Sequence, residues 1–379
     1  MVPVHTQFAF AAHIPAAGYQ WVSPNDVKLR KLVDTEKRPV PDCDVLLIQA
    51  GQPNHDEEQR VWRWPDTNPV LFREFADLST DDLDALLGFA NENGSLGFGH
   101  IAVCDPRTAT SYPNCLVWED PEYPGGRAAL LLGVETYREW VTAIAHLKTA
   151  TTVFDRLQAR DATGMRKYLV WHDTGAREAR EHLPTHLSDR DKYRRPDGAW
   201  YLDTHPHIAD KESGGSARIN DYIATGTTPT RYDDPLTVGW TWLVQAVNHQ
   251  LRNRVSPQLW IDPDGRRLIE QLHPQDLLSA MWAQLYRAMT AGKIYRNCKA
   301  CAKWFEISGD DEGYTTRRMY CSDVCRVRAY RGRRDRAAMI AAAGKSAKEV
   351  SEQLAAEGME TDLATVKKWV RNIKPRGKK

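Results

Sequence analysis

Apolar residues recur every three or four positions in several parts of the chain, which predicts amphipathic helices. The longest such pattern runs from Glu135 to Gln158. Further helices are predicted over residues 79–94, over residues 236–251, and from Leu277 to about Gly292. Four of the thirteen tryptophans lie in these segments, where core packing explains them better than an aromatic ligand cage does.

Strand patterns are fewer and shorter. The apolar run from Val45 to Ile48 suits a buried strand, and residues 258–272 suit a hairpin turning at Pro263-Asp264-Gly265. Residues 160–232 are mostly polar and lack a clear period, which indicates a long irregular insertion or loop. The sequence therefore predicts a mixed, mostly helical α/β body over residues 1–292.

Residues 337–379 contain three short helical patterns. A helix from Ala337 should stop at Gly344, and Ser346 with Glu349 forms a capping box for the next. In the third helix, capped by Thr361 or Asp362, we expect an inward apolar face of Leu363, Val366, Trp369 and Val370. The residues expected to point outward are Thr365, Lys367, Lys368, Arg371 and Asn372.

The formal net charge of +1 hides an uneven distribution. From Lys293 onward there are 21 Lys and Arg against 11 Asp and Glu, whereas the preceding residues hold 30 against 39. A basic end on an acidic body is typical of a segment that meets a polyanion, although a merely solvated basic tail is the simpler alternative.

The chain shows no secretory signal and no apolar stretch long enough to span a membrane. We therefore expect a soluble, cytoplasmic protein with no membrane partner. Its seven cysteines are an odd number, and without a secretory signal they are expected to stay reduced. Cys43, Cys104 and Cys115 are isolated in the sequence and are expected to be free thiols.

The other four cysteines form two close pairs. Cys298 and Cys301 are separated by two residues, and Cys321 and Cys325 by three, with 19 residues between the pairs. Four thiolates at this spacing predict one structural zinc ion per chain. Iron–sulfur ligation is a second possibility, whereas a redox CxxC motif needs one pair only and the expected βαβ context is missing.

The segments CKACAKWFE and YCSDVCRVRAYRGRR, within residues 296–336, resemble the treble-clef finger of the CGNR-type zinc-finger proteins. No CGNR string is present, and Cys325-Arg326-Val327-Arg328 stands in its place. The resemblance implies a zinc finger over residues 293–336 and a role in DNA binding or transcription regulation.

An arginine-rich run follows Cys325. Some of these arginines would shield a negatively charged tetrathiolate site, but the run exceeds that need. The guanidinium group suits phosphates and guanine edges, so nucleic-acid contact is expected. The candidate residues in this run are Arg326, Arg328, Arg331, Arg333 and Arg334.

The sequence GKSAKEVSEQLAAEG, with TVKKWV after it, resembles a resolvase-like or homeodomain-like helix-turn-helix. The resemblance implies a DNA-binding segment over residues 337–379 with a basic third helix. A helical bundle that serves dimerisation or docking is the alternative, and a homodimer would suit it. The candidate DNA contacts of the third helix and its extension are Thr365, Lys367, Lys368, Arg371 and Lys374.

Histidines offer a weaker candidate for a second metal site: His172, His182, His186, His205 and His207. Pro184 would break a helix joining His182 to His186, so an HExxH zinc site is excluded. No nucleotide-binding loop, nucleophile elbow or paired-carboxylate motif occurs, so enzymatic activity is not the expected function.

These predictions combine into an α+β multidomain protein that binds duplex DNA through its basic end. The preferred function is a bacterial or phage transcription regulator whose N-terminal body senses a small molecule or a protein partner. Two alternatives stay open: a mobile-element or defence factor acting enzymatically on DNA, and a zinc-stabilised protein-interaction module.

Overall fold

The computed structural model describes residues 7–8, 10–14, 18–33, 45–49, 59–63, 68–110, 115–119, 125–171, 206–209, 216–218, 234–261, 268–307 and 318–371. The chain divides into two compact units, Met1–Ala291 and Gly292–Lys379. The first unit is a mixed α/β assembly, and the second is a small hairpin followed by helices. No described helix is both long and apolar enough to cross a membrane.

The first unit is built on an antiparallel sheet. The described strands of the first unit, some of which belong to other sheets, are β1 (Gln7–Phe8), β2 (Phe10–Ile14), β3 (Tyr19–Val22), β4 (Lys31–Val33), β5 (Leu46–Gln49), β6 (Gln59–Arg63), β7 (His100–Cys104), β8 (Cys115–Glu119), β9 (Arg127–Thr136), β10 (Leu169–Trp171), β11 (Pro206–Ala209), β12 (Ser216–Arg218), β13 (Val255–Ile261) and β14 (Leu268–Pro274). The main sheet has the order β3-β5-β9-β7-β4, and β8 also pairs with β9. The predicted strand at Val45–Ile48 is confirmed as β5, whose Leu46 and Ile48 are buried.

The smaller sheets include the predicted hairpin. Strands β13 and β14 pair antiparallel from Val255 opposite Pro274 to Ile261 opposite Leu268, and β1 runs parallel to β14. Strand β2 pairs with β6, and β10, β11 and β12 form a third small sheet. The last three strands lie in the segment predicted to be an irregular insertion, most of which is outside the described residues.

Helices of the first unit pack beside the main sheet and form the larger core. They are α1 (Leu71–Ala76), α2 (Leu83–Asn93), α3 (Pro106–Ala109), α4 (Tyr137–Gln158), α5 (Ala162–Tyr168), α6 (Pro235–Leu251) and α7 (Leu277–Thr290). The helix predicted from Glu135 to Gln158 is observed as α4. It begins with a capping box between Thr136 and Glu139. The largest side chains with almost no exposed area include Trp140, Trp282 and Phe72.

A buried carboxylate ties the main sheet to the segment before β7. Glu135 accepts hydrogen bonds from the backbone N–H groups of Leu96 (3.0 Å), Gly97 (2.5 Å) and Phe98 (3.0 Å). It also accepts one from Trp140 Nε1 at 2.8 Å. Burial raises the pKa of Glu135 even though these hydrogen bonds favour its ionised form.

The second unit starts with a short antiparallel hairpin, β15 (Tyr295–Asn297) and β16 (Trp304–Glu306), and continues into α8 (Asp323–Ala342), α9 (Ala347–Ala356) and α10 (Leu363–Val370). The helix predicted to begin at Ala337 is the last part of α8, which is continuous from the second cysteine pair onward. Its buried residues Ala337 and Ile340 pack with Val350, Leu354 and Val366 of the following two helices.

Candidate metal centre and basic surfaces of the second unit

The four cysteines predicted as ligands come together. The sulfur atoms of Cys298, Cys301, Cys321 and Cys325 all lie within 4.8 Å of one another. The Cys301–Cys321 and Cys321–Cys325 sulfur distances are 3.7 Å and 3.6 Å. A tetrahedral ion with metal–sulfur bonds of about 2.3 Å separates its sulfurs by about 3.8 Å. The group is thus spaced to hold a single metal ion, whereas a cluster of two or four irons would distribute the thiolates over more than one metal atom.

The first cysteine pair is shaped by the hairpin. Between β15 and β16 the backbone turns tightly, with Cys298 N–H bonded to the Lys303 carbonyl and Ala302 N–H bonded to the Cys298 carbonyl, each at 2.8 Å. Ala302 has a φ of 58°, a left-handed conformation that is uncommon for a residue with a Cβ atom. The buried ring of Phe305, one residue into β16, packs against this cluster.

The second pair is positioned by the start of α8. Ser322 is the N-cap, and its hydroxyl accepts a hydrogen bond from Cys325 N–H at 3.3 Å. Cys325 therefore lies in the first helical turn, where backbone amides favour a thiolate. Arg318 fixes the approach to the helix by donating to the carbonyls of Tyr320 (3.0 Å) and Cys321 (2.5 Å).

The thiols influence one another's ionisation. Burial opposes ionisation of Cys298, but backbone N–H groups of Cys321, Ala300 and Cys301 outweigh it and lower the pKa of Cys298 to about 6. Burial and the neighbouring cysteine side chains raise the pKa of Cys321 to about 12. Four adjacent thiols cannot all ionise without a compensating charge, which a divalent cation would supply.

The other cysteines stay apart from this group. Cys104 and Cys115 are free thiols in the first unit, and burial raises the pKa of both, in the case of Cys104 to about 12. These two thiols are thus protonated at neutral pH and poor metal ligands. Cys43 lies outside the described residues.

The arginines of α8 divide into paired and unpaired residues, which the sequence does not distinguish. Arg336 makes a two-point contact with Glu357 at 2.8 Å and 2.6 Å, and Arg333 donates to the Tyr320 hydroxyl at 3.0 Å. Both side chains thus have a structural partner. The pKa of Glu357 is lowered to about 2, first by its hydrogen bonds from Arg336.

Other arginines of the run are exposed. Arg326 lies 3.1 Å from Asp323, and Arg334 lies 3.6 Å from Asp335, contacts that are weak in solvent. Arg328 and Arg331 are exposed and make no ion pair with any described residue. Arg328, Arg331 and Arg334 follow one another at intervals of three, so they occupy one flank of the helix. We call these three residues the arginine row.

Helix α10 is held against α8 by its inner side. Val366 is fully buried, and Trp369 Nε1 donates to the Tyr330 hydroxyl at 2.9 Å with the rings edge to face. Asp362 is the N-cap, accepting from Thr365 N–H at 2.8 Å. Thr365 was expected to point outward, but it is half-buried.

The opposite side of α10 is exposed. At 100° per residue, five exposed side chains fall on one continuous arc, which we call the outer face: Leu363, Ala364, Lys367, Lys368 and Arg371. The expected exposure of the basic residues agrees with this arrangement, but Leu363, expected inside, is 38% exposed. Asn372 and Lys374 lie outside the described residues.

The predicted histidine site is largely beyond the described part of the chain. His172, His182, His186 and His205 lie outside the described residues, and His207 is on β11 opposite Arg218. Among the residues that the structure describes, the four cysteines form the only group of three or more potential metal ligands.

These features define a chain with a four-cysteine site able to hold one metal ion at the start of a long basic helix. Residues 248–364, just under a third of the chain, match the model of a family of unknown function, DUF6076. The matched range contains all four cysteines and the whole of α8 and α9. No curated protein and no solved structure matches the chain.

Proposed function

We propose that the four cysteines hold one structural zinc ion in a treble-clef finger. The donor set is four thiolates at tetrahedral spacing, and zinc takes such ligands without redox change and without an open coordination position. A hairpin turn followed by the first turn of a helix supplies the two ligand pairs. Elemental analysis should find one zinc per chain in the wild type and none in a Cys321→Ser/Cys325→Ser variant; iron in the wild type would contradict zinc.

The second unit binds duplex DNA. The observation that carries this function is the arginine row on α8, where Arg328 and Arg331 are exposed and have no ion-pair partner among the described residues. Unpaired guanidinium groups on a helix anchored at both ends are suited to phosphate contacts. The excess of cations from Lys293 onward adds long-range attraction for a polyanion.

Helices α9 and α10 act as a helix-turn-helix, with α10 as the helix that enters the major groove. Five residues separate the end of α9 from Asp362. One of them is Gly358, whose φ of 71° lies in the left-handed region that favours glycine. The acidic first unit senses a small molecule or a protein partner, and the whole protein regulates transcription.

The function is tested on the full chain with random-sequence duplex DNA at several salt concentrations. An Arg328→Ala/Arg331→Ala variant should bind all sequences more weakly and should lower the salt slope of log K by roughly 2, because each phosphate contact contributes about 0.9. The matched control is Arg127→Ala/Arg138→Ala, which removes the same charge from exposed positions of the first unit.

Two outcomes would contradict DNA binding, and a third would contradict the role of the arginine row. The first is the absence of measurable affinity for any duplex at low salt. The second is an affinity that stays flat as salt rises, which would favour a zinc-stabilised protein-interaction module. The third is equal weakening by the control, which would mean that net charge alone, and not the arginine row, accounts for the binding.

A further inference from the structure

The outer face of α10 combines apolar and basic side chains in a fixed order. Leu363 and Ala364 are exposed in the first turn, Lys367 and Lys368 follow one turn later, and Arg371 comes last. The order places each apolar residue four positions before a lysine, so the two types lie side by side along the helix. Leu363 lies at one edge of the outer face, in the first turn, and its exposed part adds an apolar contact to a face that is otherwise mostly basic.

The rotation of α10 about its own axis is fixed. Val366 is inserted into the core with Leu354, and the indole of Trp369 is bonded to Tyr330. The Asp362 cap fixes the first turn. The outer face is therefore presented in one orientation, as a reading surface requires.

The dimensions and chemistry of the face suit the major groove. An α-helix with its side chains is about 10–12 Å across, and the major groove is about 12 Å wide. In that groove the thymine methyl group is the contact for apolar side chains, and guanine O6 and N7 accept hydrogen bonds from lysine. The sequence after Arg371 adds four further cations, which favours a polyanionic occupant over an apolar protein groove.

We propose that Leu363 and Ala364 contact a thymine methyl group and that Lys367 and Lys368 contact guanine in the same half-turn of the groove. This inference rests on the proposed DNA-binding function and adds to it the bases that are read. Thr365, half-buried on another side of the helix, takes no part in reading.

The first test uses the full chain to select bound duplexes from a random pool, and then replaces single thymines of the selected site by uracil, which lacks the methyl group. The wild type should lose about fourfold in affinity at the contacted thymine, the equivalent of burying one carbon group. Leu363→Ala should bind the thymine and uracil sites equally. Leu259→Ala, which alters a 74% exposed leucine of the first unit, should keep the wild-type preference.

The lysines are tested with 7-deazaguanine, which lacks the N7 acceptor. The wild type should lose about tenfold at the contacted guanine, within the range for one good base contact, and Lys367→Ala/Lys368→Ala should not distinguish the two bases. Sequence-independent binding that still depends on the arginine row would overturn this inference and leave DNA binding intact. A selected site in which neither uracil nor 7-deazaguanine changes affinity would also overturn it, and a failure to bind any duplex would remove both proposals.

Discussion

Replacing Leu354 by alanine should destabilise the three-helix bundle of the second unit. Leu354 has no exposed area and packs with Ile340, Val350 and Val366 between the three helices. A buried leucine-to-alanine change costs about 2–5 kcal/mol, because apolar burial is lost and a cavity is left. The expected result is a large loss of protection from hydrogen exchange over residues 347–371.

The loss of about 2–5 kcal/mol is large compared with the stability of the three-helix bundle, because the bundle is small. At about 0.05–0.15 kcal/mol per residue, the 35 residues from Ala337 to Arg371 have a stability of about 2–5 kcal/mol. The substitution therefore removes most or all of the stability of this part of the chain. In a domain with a larger core, a similar change would leave most of the molecules folded.

Hydrogen exchange followed by mass spectrometry measures this locally in the full chain, and metal content measures the cysteine site in the same sample. Met339→Ala is the matched control, because Met339 is 66% exposed on the same helix. Equal loss of protection in both variants, or full protection in Leu354→Ala, would refute the described core. Metal content should be unchanged, because Cys298, Phe305, Ile307 and Cys325 form a separate cluster.

Two further predictions concern the first unit. Glu135→Ala should lower the stability of the first unit by several kcal/mol. Three backbone N–H groups and one indole N–H would lose their acceptor, at a cost of about 1–3 kcal/mol each. Calorimetry measures this loss, with Glu92→Ala at an exposed position as the control. Asp105 has a pKa of about 2, below its ordinary 3.8, first because Arg107 donates hydrogen bonds to it. The stabilisation from Asp105 is therefore present above pH 3.8 and lost as pH falls towards 2, and in Asp105→Asn hydrogen exchange of residues 100–110 should lose this pH dependence.

The metal ligands could be predicted from sequence because their chemistry depends on local spacing. Each cysteine pair lies within one turn of backbone, and only four thiols needed to meet. The helices with strong periodicity, such as α4, and the hairpin of β13 and β14 were predictable for the same reason. In these cases the residues that decide the structure are close together in the chain.

Partners distant in sequence could not be predicted. Arg336 is paired with Glu357, which is 21 positions later in the chain. The sequence alone therefore does not separate the paired arginines of α8 from the unpaired ones. Glu135 was expected to open a helix, but it is the second-last residue of β9 and binds a segment nearly 40 residues earlier. Thr365 and Leu363 were assigned to the wrong sides of α10 by pattern alone, because in an eight-residue helix two turns leave the position of the buried face poorly defined.

The continuity of α8 relates the two candidate functions of the second unit. Its first turn carries Cys325 in the metal site, and its last turns carry Ala337 and Ile340 in the bundle core. The arginine row lies between these two anchors, on a helix of twenty residues or about 30 Å. A long side chain on a helix fixed at both ends loses less freedom when it meets a phosphate than one on a frayed end does. Under the proposed function, the metal would therefore strengthen DNA binding by ordering the helix that presents the arginines, without any of its ligands touching the DNA.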